Sequence, residues 1–255
     1  YKRKETITTG YIVDISKHQK SSAIDWPVFS KQVDLLFIRV QYGSSGPDTE
    51  YANHTANAVK HGVPFYSYAF PRFVSVDDAR VEARNAAQRQ HPRSLGMVID
   101  VETEYYDDKP SGITKLSKDV RLAGIKAFVG ELRAQGVKRV GIYVAHNVYE
   151  SWGIDGIIDI FDFVWIPRYG KNNGKPDVKP AYPCDLWQYT SVGRVAGYDG
   201  NLDLSALTGR KSLEWFVGGA GKPEKAKPAS KPKAKPAGGG LLKRGDRGAA
   251  VKEPQ

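Results

Sequence analysis

Eight short apolar runs, each bounded by Gly, Pro or charge, punctuate the chain: YIVDIS (11–16), LLFIRVQYG (35–43), PFYSYAF (64–70), GMVIDVE (96–102), RVGIYV (139–144), FVWIPRY (163–169), DLWQYTS (185–191) and NLDLS (201–205). They are near-continuously apolar rather than alternating, which predicts strands covered on both faces. Between the earlier runs the hydrophobic period lengthens to that of a helix. Val76, Ala79, Ala83, Ala86 and Ala87 mark one helix over 76–90; Leu122, Ile125, Val129 and Leu132 mark another over 117–135, ended by Gly136. Strand–helix alternation predicts a parallel sheet, and eight such strands predict a barrel. After the sixth run the pattern changes: GKNNGKPDVKPAYP (170–183) and VGRVAGYDG (192–200) have no helical period. The expected fold is therefore α/β, a modified TIM-like barrel of eight strands. Helices should be missing between the last strands, which should be partly antiparallel.

Composition narrows the class. At 255 residues and 40% hydrophobic content the chain can bury a substantial core. It contains no apolar run of 18 residues, so no membrane span is expected. The N-terminus YKRKETITTG lacks a leader's apolar segment, although a chain that starts at Tyr1 rather than Met leaves export open. Cys184 stands alone, which excludes an intrachain disulfide and a multi-Cys zinc site, and the five histidines form no HExxH. No metal or cofactor is expected.

The net charge of +10 is concentrated at the end, where residues 217–255 hold ten Lys/Arg against three Asp/Glu. These cations alternate with Pro and Ala rather than with aromatics, a pattern that fits loose attraction to a polyanion such as a bacterial wall better than nucleic-acid recognition. The expected organisation is a folded domain over 1–217, a Lys/Pro/Ala/Gly-rich linker over 218–239, and a short apolar beginning of another module over 240–255.

Candidate chemistry sits at strand ends. In LGMVIDVETE (95–104), Met97, Val98 and Ile99 run directly into Asp100, Glu102 and Glu104. Side chains two apart on a strand share a side, roughly 6.6 Å apart along the chain, so a buried strand delivers two carboxyls side by side. Such a pair is the usual equipment for cutting a glycosidic bond, one acid raised in pKa and the other ionised. A second Asp-x-Glu, Asp48 and Glu50 in GSSGPDTEY, reads instead as a solvated turn before a helix. Asp14 closes the first strand and Asp203 lies in the last, and in a parallel barrel those ends meet at one mouth with Asp100 and Glu102. Tyr68, Tyr143, Trp165 and Trp187, among other aromatics near the same ends, are candidate platforms for sugar rings.

The segments DISKHQ (14–19), GVPFYSYAF (62–70), VIDVE (98–102), FVWIPRYG (163–170) and WQYTS…GNLDLS (187–205) together resemble, over about residues 10–216, the family 25 glycoside hydrolases. These are lysozymes that cleave peptidoglycan between N-acetylmuramic acid and N-acetylglucosamine. The resemblance implies that Glu102 is the general acid. It implies that Asp100 stabilises developing positive charge or orients the substrate's 2-acetamido group, and that Asp14 and Asp203 tune the pair. Tyr68 would then donate to the acetamido oxygen, with Tyr143, Trp165 and Trp187 as platforms. Acetamido assistance is preferred over an activated water, because the close i, i+2 pair leaves little room for one. LLKRGDRGAAVKEPQ is similar to the start of a peptidoglycan-binding repeat, as in phage endolysins. The partner implied is the glycan strand of peptidoglycan, met by a monomer secreted to the wall or released from a phage host's cytoplasm. A chitinase-type barrel would need Asp where Val98 stands. The remaining alternative is a catalytically inactive wall-binding protein on the same scaffold.

Overall fold

The computed structural model describes residues 10–218. Eight strands, β1 (Tyr11–Ile15), β2 (Val33–Tyr42), β3 (Phe65–Phe70), β4 (Met97–Val101), β5 (Val140–Val144), β6 (Phe163–Pro167), β7 (Leu186–Val195) and β8 (Tyr198–Leu207), pair in sequence order, and β1 closes the barrel on β2 and β8. All pairings are parallel except those of β8, which is antiparallel to both β7 and β1. The reason is local. Residues 195–198 form a tight hairpin with too few residues for the crossover that a parallel return requires. The barrel with helix-free final connections thus matches the expectation from the sequence.

Among the described residues, three helices of ten residues or more cover the outside: α1 (Tyr51–Lys60), α2 (Val76–Arg89) and α3 (Lys118–Ala134). Ser75 caps α2 by accepting from Asp78 N at 3.1 Å, with Asp77 and Asp78 in its positive first turn. Ala79, Ala83 and Ala86 give α2 a thin buried face against the sheet and α3. Three residues past the fourth strand's end the chain also forms a two-stranded hairpin, Glu104–Tyr106 with Lys109–Ser111, which the apolar pattern does not reveal because three-residue strands carry no period.

The barrel interior is an aromatic column rather than a pore. From the bottom, Phe216 meets Phe163 at 5.1 Å between ring centroids, Phe163 meets Tyr66 at 5.4 Å, Tyr66 stacks on Phe37 at 5.4 Å, Phe37 meets Trp165 at 4.5 Å, and Trp165 meets Tyr143 edge-on at 4.8 Å. Gly141 makes room for this column, because a Cβ there would lie 2.3 Å from the Phe163 ring. A last short helix, Leu213–Val217, stoppers the bottom, where Arg139 donates to the carbonyls of Trp215 and Phe216 at 2.6 and 3.0 Å and to the Tyr66 hydroxyl at 3.0 Å. No helix among the described residues is long and apolar enough to cross a membrane. The linker and second module expected over 218–239 and 240–255 lie outside the described residues but for Gly218.

Candidate active site

The side of each strand that faces inward is set by its apolar members. Val98 lies in the inner cluster, so Asp100 and Glu102 follow it on the inner side at the upper end of β4; Ile12 does the same for Asp14 on β1. Asp203 of β8 is the direct register partner of Asp14. The four acids placed at strand ends from sequence thus share one mouth above the aromatic column.

Their surroundings make full ionisation costly. Asp14 and Asp100 are each only 9% exposed, while Glu102 and Asp203 are half-buried. Burial raises the Asp14 carboxyl well above the ordinary aspartate range, and Asp203 and Glu102 add like charge, partly opposed by Gln188. Burial likewise raises Asp100, reinforced by Glu102 and Asp14. Glu102 is pushed to about 7 by burial and by Asp203, and burial lifts Asp203 to about 6. Near neutrality the cluster therefore retains protons that isolated carboxyls would have lost.

A cation and an amide organise the group. Arg39 of β2 is buried and donates from Nε to Asp48 Oδ2 at 2.8 Å, while its positive charge favours the ionised forms of Asp100 and Glu102. Gln188 of β7 donates from Nε2 to Asp14 Oδ1 at 2.9 Å; its Oε1 accepts from the hydroxyls of Tyr143 at 2.8 Å and Tyr169 at 2.7 Å. Two phenols thus fix the amide orientation, and the amide fixes Asp14. Asp100 Oδ1 is buried with no hydrogen-bond partner among the described residues, an acceptor facing the mouth.

The candidate platforms divide. Tyr68, half-buried, stands between Arg39, Asp14 and Asp100, and Tyr143 lines the mouth at 8% exposure. Trp165 does not reach the surface: at 2% exposure it lies within the column, its Nε1 donating to Ser205 Oγ at 3.0 Å, and it supports Tyr143 from below. Trp187 belongs to the other side of its strand. Since Leu186 and Gln188 point inward, Trp187 points to the outer layer, packs edge-on to Tyr189 at 5.9 Å and donates to the Arg168 carbonyl at 2.7 Å.

The Asp48–Glu50 pair is also corrected. A helix does follow it, but Asp48 is no solvated turn residue: it is 7% exposed and accepts from Arg39, from Lys17 N at 2.9 Å and from Glu50 N at 3.0 Å. Arg39 and Gln188 are the site residues that the sequence reading did not single out, while Tyr169 was grouped only with the aromatics at the strand ends. Each lies in or beside a segment quoted there, and WQYTS carried the signal for Gln188 as a polar residue inside an apolar run.

Comparison with known proteins bears on the family and the fold. The sequence profile of Glycosyl hydrolases family 25 matches residues 13–198. Lysozyme M1 of Streptomyces globisporus is 26% identical over 209 residues, covering 77% of this chain and 67% of that protein. Among solved structures, a glycosyl hydrolase 25 of Streptococcus pneumoniae, described as a virulence factor participating in host cell invasion, superposes with a TM-score of 0.71 at 26% identity over 82% of this chain and 92% of that one. The catalytic domain of an endolysin from a bacteriophage of Listeria monocytogenes gives 0.68 at 25% identity over 80% and 95%.

Proposed function

The chain belongs to glycosyl hydrolase family 25, and from that premise we propose that it is a muramidase, hydrolysing the β-1,4 bond between N-acetylmuramic acid and N-acetylglucosamine. It is a glycoside hydrolase, and its substrate is bacterial peptidoglycan. What supports the finer reading is one observation: four carboxyls converge on the mouth, and Glu102, the glutamate among them and half-open to solvent, is held at about 7.

In this mechanism Glu102, protonated near neutrality, gives its proton to the leaving glycosidic oxygen. Asp100 accepts the N–H of the substrate's acetamido group on its unpartnered Oδ1 and stabilises the positive charge that develops as the acetamido oxygen attacks the anomeric carbon. The tyrosyl hydroxyl of Tyr68 donates to that acetamido oxygen. Glu102, now ionised, then removes a proton from the water that opens the cyclic intermediate, so configuration is retained. Asp203 keeps the local potential negative, which holds the proton on Glu102 before reaction, while Gln188 locks Asp14 in place beside them. Residues 218–239 act as a tether, and the net positive charge of residues 218–255 adds attraction to the wall.

The test is mass spectrometry of fragments released from purified peptidoglycan, with and without borohydride reduction, for the protein and for Glu102→Gln. New reducing ends at N-acetylmuramic acid that vanish in the variant are expected. Wall binding without any released sugar ends would make the protein a binding module instead.

A further inference from the structure

Beside the mouth lies a groove that none of the four acids lines. Two adjoining depressions of about 360 and 320 Å³ share Arg72, Ser111 and Lys115. The first is walled by Tyr106, Lys109 and Pro110 of the hairpin, and the second runs back to Tyr42 and Gly43 at the end of β2. All these residues follow the upper ends of β2, β3 and β4, so the groove opens on the same face as the acids, and the hairpin begins two residues beyond Glu102.

Its framework is rigidly tied. Arg72 ion-pairs through Nε with Glu104 at 2.9 Å, donates to Ser111 Oγ at 3.0 Å and lies 4.9 Å from the Tyr42 ring centroid; its backbone N–H is held by both carboxyl oxygens of Glu82 at 3.1 Å. Tyr42 also donates to Glu104, and Glu104 N donates to Thr114 Oγ1 at 2.8 Å. Gly112 permits this closure, with φ +49° and a would-be Cβ 2.6 Å from Glu104 Oε2.

The first depression is lined by three cations, Arg72, Lys109 and Lys115, and by no acid. Lys109 and Lys115 are exposed and form no ion pair among the described residues. The acids lining the second depression face backbone: Asp78 accepts from Val74 N and Glu82 from Arg72 N. Asp107 and Asp108 form the hairpin turn and line neither depression. Tyr106, 63% exposed, supplies a flat apolar wall beside the cations.

Resting on the muramidase reading, we propose that this groove is a subsite for the acidic peptide carried by the muramic acid lactyl group, with Lys109 and Lys115 meeting its carboxylates and Tyr106 its backbone. A chain of several residues matches the size of the groove, whereas a bare lactyl carboxylate would leave most of it empty.

The experiment compares kcat/KM on soluble glycan fragments bearing peptides with that on the same fragments after the peptides are removed by an amidase, for the protein and for Lys109→Gln/Lys115→Gln. In parallel, binding of N-acetylmuramyl dipeptide and of N-acetylmuramic acid to both proteins is titrated. At low salt the double substitution should lower the ratio of the two kcat/KM values about fivefold and weaken dipeptide binding by a similar factor, with both effects fading toward about 0.5 M salt. An unchanged ratio and unchanged dipeptide binding would overturn the proposal. Equal losses with and without peptide would also overturn it, assigning the cations to the glycan that both fragments share. Failure to cut either fragment would sink the muramidase reading, and the dipeptide titration would still decide the groove.

Discussion

Glu102→Gln keeps the size of the side chain and removes its charge, so its effect on stability isolates the cost of placing an acid at the mouth. The Glu102 carboxyl titrates at about 7 in the folded protein against 4.5 in an exposed setting. The folded state therefore binds this proton more tightly than the unfolded chain. Below pH about 4.5 both states carry the proton and Glu102 costs nothing; as pH rises to about 7 the folded state is progressively penalised, and above that the penalty is complete. At about 1.36 kcal/mol per pKa unit the full penalty is about 3 kcal/mol. Proton sharing with Asp203 and partial solvent access at the mouth reduce it to about 1–3 kcal/mol. Urea unfolding followed by tryptophan fluorescence at pH 4, 6 and 8 reads this directly. The Gln variant should match the parent at pH 4 and exceed it by about 1–3 kcal/mol at pH 8, while losing hydrolysis. A variant less stable at pH 8, or offset equally at every pH, would refute the claim that the site stores unfavourable charge.

Four other outcomes follow from named contacts. Asp203→Asn removes the like charge that helps hold the proton on Glu102, so the alkaline limb of the kcat/KM pH profile should move about 0.5–1 unit toward acid. Gln188→Leu strands two phenols and frees Asp14; about 2–4 kcal/mol of stability should be lost in urea unfolding, with kcat on soluble glycan falling at least about tenfold. Arg139→Met unties the bottom stopper from the barrel, which should cost about 2–4 kcal/mol in the same unfolding assay while kcat per folded molecule stays near its original value, because the mouth is at the opposite end. Deleting residues 219–255 removes the seven net positive charges of the tail and should reduce cosedimentation with purified walls at low salt but not at about 0.5 M.

The barrel was legible because a strand covered on both faces must be apolar along its whole length, and eight such runs leave few other folds. The four acids were legible for the same reason: Asp14, Asp100, Glu102 and Asp203 interrupt or end runs that otherwise tolerate no charge. That same two-sided burial hid the direction of the aromatics. In FVWIP and LWQYT, apolar residues occupy both parities, so nothing in composition says that Trp165 turns inward and Trp187 outward. The deciding residue was Gln188. Its amide satisfies Asp14 and two phenols inside the mouth, and an amide placed among the aromatics of the outer layer would have had no such partners. Once Gln188 is assigned inward, its neighbour Trp187 must point out. Asp48 was misread for a related reason: a carboxylate in a Gly- and Ser-rich loop looks solvated until the strand carrying Arg39 is placed against it. A buried Arg on β2 requires an anion, and burial makes ionisation of Asp100 and Glu102 costly, so they are weak counter-charges for it. Asp48 supplies that charge from outside the reacting group. Arg39 is thereby kept from clamping onto Asp100, whose buried Oδ1 is left without a hydrogen-bond partner among the described residues.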